Sequence, residues 1–161
     1  MTTEPEILGE LMPDTREAVL SLLDWSDDRN LDVQLIDGVR SCEEQMALYA
    51  QGRTEPGRVV TSVPGCRSWH VHGRAVDVYA GSWEPVDYYA IGEAWEAMGG
   101  RWGGRFGDYG HLEWHPGVSL DELCPDAGGV CPARRSGMVG ASVAVVVSGA
   151  VVALWMFLRR P

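Results

Sequence analysis

Lysine is absent from this sequence, and positive charge is scarce. The 13 basic residues are all arginine and face 23 acidic residues, so the 161-residue chain has a formal net charge of −10. Because nucleic-acid binding depends on neutralising phosphates with basic side chains, this balance excludes a nucleic-acid partner. The acidic surplus is typical of a solvated surface that keeps a protein in solution.

A secretory signal is also missing. The first ten residues have neither a basic start nor an apolar stretch, so no cleavable signal peptide is predicted.

A long uncharged segment lies near the other end of the chain, at residues 137–158. Roughly 20 apolar residues are enough to cross a membrane as a helix. The alternative is a buried core helix. It is less favoured, because a domain this small has no interior large enough to enclose a helix that is apolar on all sides. Two arginines flank the segment on each side, so its orientation is not predicted.

Short periodic segments predict one α+β domain over residues 1–115, followed by a Pro/Gly-rich linker over 116–136 and a transmembrane helix over 137–158. No internal repeat is present. Because helices and strands alternate irregularly, a doubly wound parallel sheet is not favoured. Helices are expected from about residue 14 to the Asp/Asn-rich stretch 27–30, at 42–51 and at 86–98, and strands at 32–37, 75–79 and 111–114.

Histidine is rare, and the four histidines fall in two windows that each contain a carboxylate. His70 precedes Asp77 by seven residues, and Asp108 precedes His111 by three. A catalytic zinc site needs three nitrogen or oxygen ligands and an open position for water. His70, Asp77 and His111 provide such a set. Asp108 would then take a proton from the bound water, whose pKa the metal lowers toward ~7. The alternative is that these histidines are ordinary polar loop residues.

Three blocks of the sequence resemble the D-alanyl-D-alanine carboxypeptidase and L-alanyl-D-glutamate endopeptidase family of zinc peptidases, which is VanY-like. SWHVHGRAVD at 68–77 matches the pattern Ser-x-His-x-x-Gly-x-Ala-x-Asp. GGRWGGRFGDYGHLE at 99–113 is similar to a Trp-Gly-Gly segment followed by Asp-x-x-His-x-Glu. DGVRSCEEQMALYAQGR at 37–53 resembles a third block of that family. The endopeptidase branch, which includes phage endolysins, is the more similar one.

The resemblance implies a fold and a set of site residues. The fold would be a small antiparallel sheet flanked by helices, as in hedgehog and DD-peptidase domains, here with the C-terminal transmembrane helix added. His70, Asp77 and His111 would bind Zn²⁺. Asp108 would be the general base that later returns the proton to the leaving amine.

The resemblance also implies residues that contact substrate. Arg40 would hold a carbonyl oxygen or a carboxylate of the substrate, or else would only pair with Glu43 or Glu44. Ser68 and Gln45 would line the substrate cleft, although Ser68 could be a turn residue and Gln45 a helix-surface residue.

Three further residues lie close to the expected ligands. Glu113 would accept a hydrogen bond from a ligand histidine, or form a salt bridge with an arginine. His72 and His115 lie outside the ligand pattern, and we expect them at the surface or behind a ligand rather than on the metal.

The four cysteines predict disulfides. Cys42 and Cys66 each lie beside a block that must reach the metal, so a Cys42–Cys66 bond with a local Cys124–Cys131 pair is favoured among the three possible pairings. Disulfides suit action outside the cytoplasm. A structural zinc site made of the four cysteines is the weaker alternative, because the sequence has no Cys-x-x-Cys pair.

The predicted function is zinc-dependent hydrolysis of a peptidoglycan stem peptide, between L-Ala and D-Glu. Removal of a terminal D-Ala, or wall binding without catalysis, are the alternatives. We expect a monomer, anchored to the membrane by its C-terminal helix, acting on the cell-wall side and possibly encoded by a phage.

Overall fold

A four-stranded antiparallel sheet in the order β1-β2-β4-β3 supports the domain in the computed structural model, which describes residues 3–126 and 128–131. The strands are β1 (Gln34–Asp37), β2 (Ala75–Tyr79), β3 (Arg101–Trp102) and β4 (His111–Glu113). The helices are α1 (Glu4–Glu10), α2 (Pro13–Asp27), α3 (Cys42–Ala50), α4 (Pro85–Met98) and α5 (Leu120–Leu123). Single 3-10 turns occupy Gly65–Arg67, Trp69–His72 and Gly103–Phe106.

Strand β2 lies in the middle of the sheet and sets the register of the site. Asp77 is paired with His111 on β4 and with Asp37 on β1, next to an irregularity in the β1 ladder. Residues directly opposite on antiparallel strands have Cβ atoms about 5 Å apart. The register therefore places these three polar side chains in one row across the sheet.

The opposite face of β2 belongs to the core. Val76 and Val78 alternate with Asp77 and are fully buried, as the two-residue period of a strand requires. Helices α2 and α4 cover this face, and the cluster includes Leu22 and Trp95. Burial of the apolar face fixes which way β2 points, because a one-residue slip would move Asp77 into the core.

Besides α5, which lies in the range expected to be a linker, two elements were not predicted from the sequence. Helix α1 has seven residues and buries only Ile7, so its apolar pattern is too short to recognise. Strand β3 has only two residues and lies in a glycine-rich stretch that was expected to be a turn. Both depend on contacts with distant parts of the chain rather than on local pattern.

The fold class expected from the sequence is corrected in one element, the transmembrane helix. Among residues 3–126 and 128–131, no helix has the length and apolar character that a membrane crossing requires. The longest helix in this part of the chain, α2, has 15 residues, whereas a crossing takes about 20. The segment 137–158 lies outside the described residues. The structure that is described is a small α+β domain with an antiparallel sheet and helices.

The disulfides join Cys42 to Cys131 and Cys66 to Cys124, with Cα atoms 5.6 and 5.7 Å apart. This is not the pairing that the sequence favoured. The chain after α5 returns to the Gly65–Arg67 turn, where the Cys66 amide donates to the Gly129 carbonyl over 3.2 Å. Proximity along the sequence could not show this return. The described part of the range expected to be a linker is thus bonded to the domain, and no cysteine is left for a structural zinc site.

We predict that Gly92→Ala destabilises the protein. Gly92 lies inside α4, and a Cβ there would overlap the buried indole of Trp102. Overpacking of this kind costs about 1–3 kcal/mol, more than the roughly 1 kcal/mol that alanine gains over glycine in a helix. Urea unfolding of the oxidised protein measures the difference.

Gly9→Ala is the matched control, because Gly9 is also helical and a Cβ there meets nothing within 4 Å. Its free energy of unfolding should be unchanged or slightly higher. Equal effects of the two substitutions would contradict the packing of α4 on Trp102.

Candidate metal centre and substrate cleft

Three acceptor atoms converge at the end of the polar row on the sheet. His70 comes from the Trp69–His72 turn, Asp77 from β2 and His111 from β4. His70 Nε2 lies 3.2 Å from His111 Nδ1, and Asp77 Oδ1 lies 3.3 Å and 2.9 Å from these two nitrogens. The three residues form a group that could hold a metal ion.

The outer atoms of the two imidazoles fix their tautomers. His70 Nδ1 lies 2.6 Å from the Gly38 carbonyl and must donate to it, which leaves a lone pair on Nε2. His111 Nε2 lies 3.1 Å from Glu113 Oε1 and donates in the same way, which leaves a lone pair on Nδ1. Hydrogen bonds of this kind usually orient metal-binding histidines.

The neutral cluster therefore contains three acceptors and no donor. Such an arrangement is repulsive unless a proton or a cation lies among the acceptors. In the metal-free protein, burial disfavours the charged imidazole, but the bonds to Asp77 and Glu113 outweigh this and raise the pKa of His111 to about 9. The demand for positive charge, together with two nitrogens and one carboxylate oxygen, fits the ligand set of a catalytic zinc site.

Asp77 is kept ionised by its surroundings. Burial would raise its pKa, but when the imidazoles of the metal-free cluster are protonated, the hydrogen bonds from His111 and His70 and their positive charges hold the pKa of this carboxyl well below its usual range. Its second oxygen accepts from Arg40 over 2.9 Å. Asp77 therefore offers one oxygen to the cluster while the other is held by a guanidinium.

Arg40 is held on three sides. Its Nε and one terminal nitrogen donate to Asp37 over 2.8 and 2.6 Å, and its other terminal nitrogen donates to Gln45 over 3.2 Å. Gln45 is buried, and its amide nitrogen donates to the Val63 carbonyl over 2.8 Å. Gln45 is therefore no helix-surface residue, and Arg40 is committed to carboxylates within the protein.

Asp108 lies at the rim of the site, beyond the Gly103–Phe106 turn. Its backbone joins that turn to β4, since its N–H donates to Gly103 and its carbonyl accepts from the His111 N–H. Partial burial and the charge of Asp77 raise its pKa, against the opposing charges of His111, His70 and Arg40. A carboxylate with a raised pKa is better suited to accept and release a proton near neutral pH.

A cleft of about 860 Å³ opens over the cluster. Besides the cluster, it is lined by Ser68, Gln45, Asp108, three arginines and Phe106. A second cavity of about 320 Å³ also touches Asp77 and Asp108. Asp77 and Asp108 thus line both cavities, which adjoin at this edge of the polar centre.

Residues 9–100 match the family of VanY, a D-alanyl-D-alanine carboxypeptidase. The chain belongs to this family. The peptidoglycan L-alanyl-D-glutamate endopeptidase CwlK of Bacillus subtilis is 33% identical, over 67% of this chain and 75% of CwlK. The L-alanyl-D-glutamate peptidase of Listeria phage A118 is 27% identical, over 67% of this chain and 39% of that protein.

A solved structure also resembles the chain. The Serratia marcescens L-Ala D-Glu endopeptidase ChiX has a TM-score of 0.51 and 26% identity, covering 71% of this chain and 88% of ChiX. The match to the VanY family confirms the family that the three sequence blocks predicted, and it confirms the predicted enzyme class, a peptidase. The family match ends before Asp108 and His111, so their place beside His70 and Asp77 rests on the structure.

The structure brings together every site residue expected from the sequence. The residues Arg40, Gln45, Ser68, His70, Asp77, Asp108, His111 and Glu113 all line the larger cleft. Their roles as ligand, base or substrate contact remain predictions.

Sequence reasoning missed Asp37 and the Gly38 carbonyl, which hold Arg40 and His70. Both lie in the block that contains Arg40, and the three-residue spacing from Asp37 to Arg40 was a usable signal. The expected alternative for Arg40, pairing only with Glu43 or Glu44, is replaced by its bonds to Asp37 and Asp77.

His115 and His72 lie outside the cluster. His115 Nε2 donates to Glu113 Oε2 over 3.1 Å, and the His115 ring is stacked on Trp69 with centroids 4.0 Å apart. Glu113 thus joins His115 to His111 and also lies 3.4 Å from Arg101, so both contacts expected for it, to a histidine and to an arginine, are present. His72 Nε2 lies 2.7 Å from the Cys66 carbonyl, which places this imidazole against the disulfide turn.

We predict that the protein binds one divalent ion per chain at the cluster and that His111→Ala abolishes this binding. Loss of an orienting partner alone typically costs 10–100-fold in affinity, so we expect loss of a ligand to cost more than about 100-fold. Calorimetric titration with Zn²⁺ and metal analysis after desalting measure the change.

His72→Ala is the control, because it removes an imidazole two residues from His70 that contacts the Cys66 carbonyl and not the cluster. It should keep full stoichiometry and an affinity close to that of the unmodified protein. Retention of metal by His111→Ala, with the circular dichroism of the native protein, would rule out this centre.

Proposed function

We propose that the protein is a zinc-dependent L-alanyl-D-glutamate endopeptidase that hydrolyses the stem peptide of peptidoglycan. The observation that carries the proposal is the convergence of His70, Asp77 and His111, with fixed tautomers, inside a cleft of a VanY-family chain. The bond specificity is supported by the names of CwlK, the phage A118 enzyme and ChiX, which all state it.

In this proposal the cluster holds Zn²⁺ through His70 Nε2, Asp77 Oδ1 and His111 Nδ1. When bound, the metal supplies Lewis acidity, which polarises a carbonyl and lowers the pKa of water. Asp108 accepts the proton of the attacking water on its carboxylate and releases it to the departing amine of D-Glu. Partial burial and the charge of Asp77 raise the pKa of Asp108 above its usual value, which makes its carboxylate a stronger proton acceptor.

Arg40 acts as a positioning residue. Its bonds to Asp37 and Gln45 hold the guanidinium in place, and the guanidinium in turn holds the second oxygen of Asp77. Ser68 and Gln45 form the wall of the cleft beside it. A substrate carboxylate is better received by Arg101, whose side chain is 59% exposed, than by Arg40, whose side chain is 19% exposed.

An endopeptidase is favoured over a carboxypeptidase by the shape of the site. A carboxypeptidase needs room for one residue beyond the bond that it cuts. Here two cavities adjoin at Asp77 and Asp108, which supports a substrate that extends to both sides of the bond. The description of the family, D-alanyl-D-alanine carboxypeptidase, keeps removal of a terminal D-Ala as the second candidate.

The masses of the products test the choice. Purified disaccharide-tetrapeptide and disaccharide-pentapeptide are incubated with the zinc-loaded protein, with and without a chelator. We expect a disaccharide that keeps only L-Ala and a free peptide that begins with D-Glu, and no product with the chelator. Release of a single D-Ala from the pentapeptide would establish the carboxypeptidase instead.

We predict that Asp108→Asn lowers kcat by about 10²–10⁴-fold, the usual contribution of a general base. Metal content should be unchanged, because Asp108 is not one of the three converging residues. Initial rates on disaccharide-tetrapeptide and metal analysis of the same sample provide the two measurements.

Asp24→Asn makes the same chemical change on the exposed face of α2. Its kcat should equal that of the unmodified protein. If Asp108→Asn kept more than about a tenth of the rate, another group would have to move the proton.

A further inference from the structure

The second cavity differs in chemistry from the main cleft. Its wall is largely apolar and aromatic, and among its lining residues only Asp77 and Asp108, both shared with the main cleft, are acidic. The main cleft contains three arginines, whereas none lines the second cavity. The lining residues of the second cavity are Ile36, Asp77, Val78, Trp83, Tyr88, Asp108, Tyr109 and Gly110.

Trp83 is the most exposed large apolar side chain of the described residues, at 71%. It lies in the loop between β2 and α4, and its ring is 4.7 Å from that of Tyr79 at a tilt of 53°. An indole that is exposed at the edge of a cavity, and supported by a second ring, offers a flat face to a ligand.

The loop that carries Trp83 is held in place by its neighbours. The Tyr79 hydroxyl donates to the Gly81 carbonyl over 2.6 Å, and the Tyr88 hydroxyl donates to the Ser82 carbonyl over 3.0 Å. The Ser82 hydroxyl bonds Asp87 and accepts from the Glu84 N–H. These hydrogen bonds hold the loop in a conformation that leaves Trp83 exposed. Because the loop is already ordered, less entropy is lost when a ligand binds to the indole.

The two sides of the bond cut in the proposed substrate differ in charge, as the two cavities do. On the amine side of the L-Ala–D-Glu bond, the stem peptide carries carboxylates, which suit the arginine-lined cleft. On the acyl side, L-Ala is joined through a lactyl group to a muramic acid sugar, whose ring is uncharged. L-Ala and the lactyl group together span at most about 7 Å, so the sugar must lie close to the polar centre where the bond is cut.

We propose that the cavity beside Trp83 binds the muramic acid sugar of the glycan strand. This inference rests on the proposed endopeptidase function. The sugar ring lies against the indole face of Trp83, and the peptide runs past Asp108 into the arginine-lined cleft. The enzyme therefore prefers stem peptides that are still attached to glycan over free stem peptides.

Paired substrates test this preference. Disaccharide-tetrapeptide and the same tetrapeptide without sugar, acetylated at L-Ala, are compared by kcat/KM on the zinc-loaded protein. We expect the native enzyme to favour the sugar-linked substrate, and Trp83→Ala to lower the ratio of the two values about tenfold, the effect of losing one aromatic contact in a binding pocket. Trp83→Phe, which keeps an aromatic face, should restore most of the ratio.

Val86→Ala is the matched control, since Val86 is exposed on the first turn of α4 and does not line the cavity. It should leave both values unchanged. A native ratio near one, or a Trp83→Ala variant that keeps the native ratio, would overturn the sugar site while leaving the endopeptidase intact. Absence of cleavage between L-Ala and D-Glu in both substrates would instead reject the proposed function.

Discussion

The ion pair between Arg40 and Asp77 is the interaction on which the rest of the site depends. Asp77 accepts from Arg40 with one oxygen and faces two imidazole lone pairs with the other. Burying a carboxylate is costly unless it is paired and hydrogen-bonded, and here β2 carries it into the middle of the sheet. The guanidinium offsets that cost from one side only. On the other side the charge of Asp77 remains available, and under the proposed function this charge, beside two imidazole lone pairs, would favour a cation over a water molecule.

The two disulfides extend this constraint to the segments that carry the site. Cys42 opens α3, directly after Arg40 and Ser41, and Cys66 lies four residues before His70. Each is bonded to the same short stretch beyond α5, across sequence separations of 89 and 58 residues. Crosslinks over loops of this length stabilise a domain by roughly 4 kcal/mol in the chain-entropy account. Since the sheet of this small domain has short strands at its functional edge, the covalent links hold the loops where strand pairing does not.

Residue type and spacing pointed to a candidate centre, because ligand chemistry requires particular side chains, and the resemblance to the zinc peptidase family favoured it over ordinary loop histidines. His70, Asp77, Asp108 and His111 could be selected from the sequence for this reason, and β2 could be placed because its apolar and polar residues alternate. The atoms that orient the candidate ligands are harder to predict from the sequence. The Gly38 carbonyl that fixes the tautomer of His70 has no signature, since every residue has a carbonyl. The disulfide pairing failed for a similar reason, because it depends on the return of residues 124–131 to the Gly65–Arg67 turn, a tertiary contact with no local pattern.

The distribution of charge explains how an acidic protein can act on a substrate that is itself rich in carboxylates. The net charge of −10 belongs to the whole chain, but at physiological ionic strength charges are screened beyond about 8 Å. A carboxylate placed in the cleft would therefore respond to the nearby charges, which include Arg40, Arg67 and Arg101, more than to the distant acidic surface. Arg40 is paired with Asp37 and Asp77, and Arg67 with Asp121. Arg101 makes only a long contact with Glu113, of 3.4 Å, and its guanidinium lies over the Phe106 ring. Of the three arginines in the cleft, it is therefore the one best placed to exchange its protein partner for a carboxylate of the substrate.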